Sequence, residues 1–168
     1  MTTPMNINQI NNYIKMKKSL IIIIILSIST FNLYSQDKII KGRVISEFFE
    51  TMPEVSIIIN DTVIVGKTDI NGYFKIDIPI SVKKILFGSV GLEPTTIELK
   101  DSCDEIEVVV LLSGSYDFMT PKKVDRLRIK RFKELPKLHK EAFEKRMFNT
   151  DKACYLQEFI SHCKKKQK

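Results

Sequence analysis

Residues 68–79 leave the chain few folds to choose from. Asn71-Gly72 supplies the positive-φ position of a tight hairpin turn, because glycine has no Cβ to clash there. Beyond it the residues alternate without a break: Phe74, Ile76 and Ile78 share one face, Tyr73, Lys75 and Asp77 the other. That pattern specifies a half-buried antiparallel strand. Similar strands lie on either side. Residues 38–45 put Ile40 and Val44 on one face, with Gly42 between them, and Val55, Ile57 and Ile59 oppose Ile58. Residues 62–67 are rich in β-branched side chains, and Ile85 and Phe87 mark residues 83–88. Thr95, Ile97 and Leu99 alternate with Thr96, Glu98 and Lys100, and Ile106, Val108, Val110 and Leu112 close the series. Seven short strands at about 8–12-residue spacing, punctuated by Gly, Pro, Asn and Asp, predict an all-β, seven-stranded antiparallel sandwich over residues 36–112.

Several pieces recur in a recognisable order. They are Ile40-Lys41-Gly42-Arg43-Val44 in the opening strand, Met52-Pro53-Glu54-Val55-Ser56-Ile57 in the second, and Gly66-Lys67-Thr68-Asp69-Ile70-Asn71-Gly72-Tyr73-Phe74 across the turn. Leu86-Phe87-Gly88-Ser89-Val90-Gly91-Leu92 fits more loosely. In this order residues 38–112 resemble the carboxypeptidase-regulatory-like domain, a transthyretin-like (Ig-like) β-sandwich, with Glu54 where that family usually has Gly. The resemblance implies a module without catalytic groups or cofactor. In the family it accompanies metallocarboxypeptidases, and in many Bacteroidota proteins it precedes TonB-dependent receptors or stands alone on exported proteins.

The N-terminal region reads as an address. Lys17 and Lys18 precede an apolar run over residues 20–26, and Ser27, Ser29, Thr30 and Asn32 dilute it before Tyr34-Ser35-Gln36. A basic start, a short apolar stretch and a small residue at the junction describe a secretory signal peptide, residues 1–35, cleaved after Ser35. Met16 is an alternative start. The rival is an uncleaved anchor, for which residues 20–33 are short against about 30 Å of hydrocarbon. Export to the periplasm, the outer membrane or the medium is the expectation, and with no cysteine near the junction a lipoprotein anchor is not.

Charge divides the rest. Residues 36–112 carry 8 Lys+Arg against 13 Asp+Glu, net −5, and residues 113–168 carry 16 against 7, net +9. An acidic body with a basic tail points to an interaction surface. Residues 113–120 read as a polar linker around Ser113-Gly114-Ser115. Residues 121–168 form a basic, partly helical tail. Thr120 caps a helix with Pro121 at its first position, and Val124, Leu127, Phe132 and Leu135 form its apolar stripe. Pro136 should interrupt it, leaving a weaker helix around Leu138, Ala142, Phe143 and Met147. Neither is stable alone, so the tail either docks on the sandwich or folds on a partner. Lys122, Lys123, Arg126, Lys130, Arg131 and Lys133 are the candidate docking residues. An envelope protein or an anionic envelope surface is the expected partner, with an outer-membrane receptor among the proteins considered. The acidic sandwich itself is another target for the tail. Export argues against nucleic acid, which lysines would otherwise neutralise without sequence preference.

The chemistry-bearing residues are few. His139 and His162 do not form the His-x-x-Glu pair of a zinc peptidase, and a solvated histidine on a basic helix accounts for His139. Asp69, Asn71 and Gly72 begin like a calcium loop, but the closing position holds Ile80; bonding of an Asx side chain to its own turn explains them. Cys103, Cys154 and Cys163 are odd in number. A Cys154–Cys163 bridge requires the helix to break, since nine residues of helix separate them by roughly 13 Å; Cys103 is otherwise left unpaired. The function predicted is a non-catalytic exported module for binding or assembly at the cell envelope, or alternatively an accessory subunit of a TonB-dependent receptor or an exported hydrolase.

Overall fold

A computed structural model describes residues 15–21, 37–100 and 103–161. The chain forms two compact units, residues 1–36 and residues 37–168. In the first, residues 15–21 are helical. The rest of the predicted signal peptide with its Ser35-Gln36 junction, and His162 and Cys163 in the tail, lie outside the described residues. Among the described residues no helix is long and apolar enough to cross a membrane.

The described residues of the second unit form eight strands and one long helix: β1 (Asp37–Ser46), β2 (Ser56–Ile59), β3 (Val63–Lys67), β4 (Tyr73–Pro79), β5 (Lys84–Gly88), β6 (Thr95–Glu98), β7 (Glu105–Val110), α1 (Pro121–Glu144) and β8 (Leu156–Glu158). One sheet has the order β4-β1-β7 and the other β3-β2-β5-β6-β8. Two features depart from the expected seven antiparallel strands. β1 pairs with β7 in parallel, Val44 opposite Val108. An eighth strand, β8, comes from the basic tail and pairs antiparallel with β6, Ile97 opposite Gln157.

The alternation read from the sequence sets the inner core. On β4, Phe74, Ile76 and Ile78 are buried and Tyr73, Lys75 and Asp77 exposed. They meet Ile40, Val44, Ile106 and Val108 of their own sheet and Ile57, Ile85, Phe87 and Ile97 of the other. Phe74 and Phe87 touch edge to face across the core, centroids 5.6 Å apart. The turn before β4 is an Asx turn. Asp69 Oδ1 accepts the amides of Asn71 and Tyr73 at 2.9 and 2.8 Å. Gly72 sits at φ +78°, and a Cβ there would lie 2.4 Å from the Val44 carbonyl oxygen. Gly72 thus has the expected positive φ, but the turn is not a hairpin: β3 pairs with β2 and β4 with β1, so the chain passes here from one sheet to the other. Glu54, standing where the resembled family has Gly, also adopts a left-handed φ of 56°.

A second core lies on the other side of the three-stranded sheet. Ile45, Val109 and Leu111 point away from the first core and are covered by Leu135 and Ala142 of α1 and by Phe148 beyond it. α1 is one helix of 24 residues with Pro136 inside it, so the expected break is absent. Proline removes one backbone donor, and here the packed sheet face holds the helix together across that gap. The apolar stripe also differs from expectation. Val124 and Leu135 are buried as read, Phe132 is partly buried, and Leu127 remains 39% exposed. The first half of the helix seats a charged group, Asp125 and Arg128, where the stripe expects apolar residues.

The cysteines pair differently from either reading. Cys103 is bonded to Cys154, 51 residues apart with Cα atoms 5.6 Å apart, which ties the tail to the turn before β7.

Candidate functional site

The described residues of the tail are fastened to the sheets by three carboxylates of the acidic body, and that fastening decides which basic residues remain outside. Glu93, in the loop before β6, is buried and bonds Arg128, with Arg128 Nη2 2.6 Å from its Oε2. Arg128 also reaches Asp125 Oδ1 at 3.4 Å and donates to the Ile160 carbonyl at 2.8 Å. Glu107, on the outward face of β7, accepts the amides of Asn149 and Thr150 at 2.6 and 3.0 Å and the Thr150 hydroxyl at 2.8 Å. Its own carbonyl accepts the Tyr155 hydroxyl at 2.8 Å, and burial pushes the Tyr155 phenol well above its usual range. Glu47, just after β1, holds Arg131, which also donates to the Leu112 carbonyl at 2.7 Å and to Tyr116 at 3.1 Å. Hydrogen bonding to Glu47 raises the Arg131 guanidinium further. Buried pairs of this kind lock a geometry more than they add stability, since desolvation offsets most of the attraction.

Arg131 is thus removed from the set of docking candidates: it points into the junction of sheet, linker and helix. The other five, Lys122, Lys123, Arg126, Lys130 and Lys133, are exposed. At roughly 100° per residue they fall within about a 100° arc of α1, directly opposite the buried arc of Val124, Arg128, Leu135, His139 and Ala142. Lys137 and Lys140 extend the same arc, paired loosely with Glu141 at 3.6 Å and Glu144 at 3.9 Å. The five nearer the helix start make no ion pair among the described residues. Basic residues in a first helical turn oppose the macrodipole, and α1 has no acidic residue there and no side-chain cap from Thr120. The result is a concentrated positive face held rigidly on an acidic body.

His139 is a correction. It is buried on the sheet-facing side of α1, its ring 4.8 Å from that of Phe148, and its Nε2 has no hydrogen-bond partner among the described residues. It lines a cleft of about 350 Å³ with Phe132, Leu135, Pro136 and Tyr155. Burial pushes the imidazole below its usual 6.5, opposed by the charges of Glu107 and Asp151 and a backbone hydrogen bond at Thr150. The folded state therefore binds fewer protons at this site than the unfolded chain. Its contribution to stability is complete above about pH 6.5 and declines as pH falls through and below that value. Denaturant midpoints of the chain starting at Gln36, compared at pH 7.5 and 5.5, should drop on acidification, and His139→Gln should flatten that slope.

Asp69, Asn71 and Gly72 form the turn described above, with Asp69 Oδ1 already bonded to two amides. Among the described residues no cluster of three or more His, Cys, Asp or Glu is arranged to hold a metal ion. The three clamping glutamates were not singled out in the sequence. A signal existed for one of them: Glu107 interrupts the apolar run 106–112, where a strand buried on both faces would pair any carboxylate it contains. Comparison with family models and with curated proteins gives no match.

Proposed function

We propose that this chain is an exported, non-catalytic β-sandwich module of the carboxypeptidase-regulatory-like type, which docks on an anionic surface of the cell envelope. The observation that carries the reading is the division of the tail's charge. Arg128 is spent on the buried Glu93 and Arg131 on the partly buried Glu47, whereas Lys122, Lys123, Arg126, Lys130 and Lys133 share one outward arc. As far as Lys133 this arc carries no acidic residue, where a helix that needed charge only for solubility would intersperse both signs, as it does further on at Glu141 and Glu144. The Cys103–Cys154 bond supports export independently of the N-terminal reading, since disulfides persist in oxidising compartments. The five-stranded sheet, the three-stranded sheet and their shared core support the sandwich assignment.

Attraction between exposed charges weakens as salt shortens the Debye length from about 10 Å at 0.1 M to about 3 Å at 1 M. The chain starting at Gln36 should therefore co-sediment with isolated envelope membranes at low ionic strength and be released at 1 M salt. Binding that is indifferent to salt would reject electrostatic docking.

A further inference from the structure

We propose that the start of α1 and the turn before it form a lipid-surface anchor, in which Phe118 enters the interface of an anionic bilayer while Lys122, Lys123, Arg126 and Lys130 meet its headgroups. This rests on the docking reading above and names its partner. Phe118 lies in a turn closed by the Met119 amide on the Tyr116 carbonyl at 3.1 Å. It is fully exposed and has a left-handed φ of 61°. Bulky side chains rarely adopt that conformation, and here the backbone cost brings no packing in return, a combination that marks function more often than fold.

The surroundings match the same partner. Phe48 is 65% exposed and lines one groove with Tyr116, Leu127 and Lys130, so an apolar strip flanks the basic arc. Asp117, Glu134 and Glu47 are the acids beside this region; Asp117 already accepts a hydrogen bond from Ser115 at 2.8 Å, and Glu47 is paired with Arg131. Aromatic side chains beside clustered lysines are the composition of segments that lie in a membrane interface. A soluble polyanion would engage the lysines but would offer Phe118 and Phe48 no apolar phase. The bilayer is therefore favoured over an acidic polymer.

The chain contains no tryptophan, so Phe118→Trp in the protein starting at Gln36 creates a single fluorescent reporter. All eight strands, α1, both cores and the disulfide lie in that part of the chain. The probes are phosphatidylcholine vesicles with and without phosphatidylglycerol, and soluble polyglutamate. Emission should shift to the blue and become protected from acrylamide with the phosphatidylglycerol vesicles alone. Replacing one of the four basic residues by Gln should weaken vesicle binding about fivefold. Phe118→Gly should relieve the left-handed strain and raise the melting temperature, yet weaken vesicle binding about tenfold. Vesicle binding with unshifted emission, or undiminished in Phe118→Gly, overturns insertion while leaving electrostatic docking intact. Polyglutamate binding as strong as vesicle binding overturns the lipid assignment. Failure to bind any anionic probe overturns both.

Discussion

Ending the chain at Leu112 should leave it unfolded. The alternating strands up to that point suggest a self-sufficient sandwich, and on that basis the tail would be dispensable. The packing says otherwise. Truncation strips Leu135, Ala142 and Phe148 from Ile45, Val109 and Leu111, exposing an apolar strip on the outer face of β1 and β7. It removes Tyr155 from the inner core and β8 from the edge of β6. It also deletes Cys154, and a cross-link closing a 51-residue loop contributes about 4 kcal/mol in the chain-entropy view. Each large apolar side chain returned to water costs about 1.5–3 kcal/mol. Against a total stability of about 5–15 kcal/mol, losses of this size are not survivable. Residues 36–112 should show no cooperative thermal transition and should bind a hydrophobic dye. A sharp two-state melt near that of residues 36–168 would mean that the tail is a true appendage.

Phe74→Ala should cost about 3–5 kcal/mol, the usual range for emptying a buried phenylalanine site. The ring is buried, meets Phe87 edge to face and fills the space above Gly42. Tyr73→Ala, one residue earlier and half exposed, loses mainly a stacking contact with Arg43 at 4.8 Å and should cost far less. Urea midpoints of the two variants check the register directly. The reverse order would place β4 one residue out of step and turn every side chain to the opposite face.

Where a segment has one buried face, its structure was legible in the sequence. The period-two pattern of β2, β4, β5 and β6 and the Asn71-Gly72 turn required only local information, and each is found where that information puts it. Legibility failed where a segment is buried on two faces or where polar groups take part in burial. The run Val108-Val109-Val110-Leu111-Leu112 satisfies an alternating template while also having apolar residues at the odd positions, and those extra residues announce the helix that covers them. His139 read as solvated because its type on a basic helix usually is, and Arg128 was not singled out, yet both face the sheet. Arg128 is buried against Glu93, 35 positions away along the chain, and His139 packs against Phe148 beyond the end of the helix. The Cys103–Cys154 bond was hidden for a related reason: pairing is set by how the tail returns over the sheet, which spacing alone does not encode. Of the six basic residues named as docking candidates, Lys122, Lys123, Arg126, Lys130 and Lys133 are exposed on α1. Arg131 differs because the arc nearest Glu47 turns it inward.

The most direct test of the docking account compares two variants with the same change in net charge. In one, Lys122, Lys123, Arg126, Lys130 and Lys133 are replaced by Gln; in the other, the exposed Lys41, Lys67, Lys75, Lys83 and Lys84 of the body are. Both are made in the chain starting at Gln36 and titrated against envelope membranes at about 0.05 M salt, where exposed charges are weakly screened. The helix variant should lose about a thousandfold or more in affinity, at about 1 kcal/mol for each of its five basic residues near an anionic surface, and the body variant only a few-fold. Equal losses in the two would show that net charge alone governs binding, and unchanged affinity in the helix variant would show that the basic face of α1 is not the docking surface.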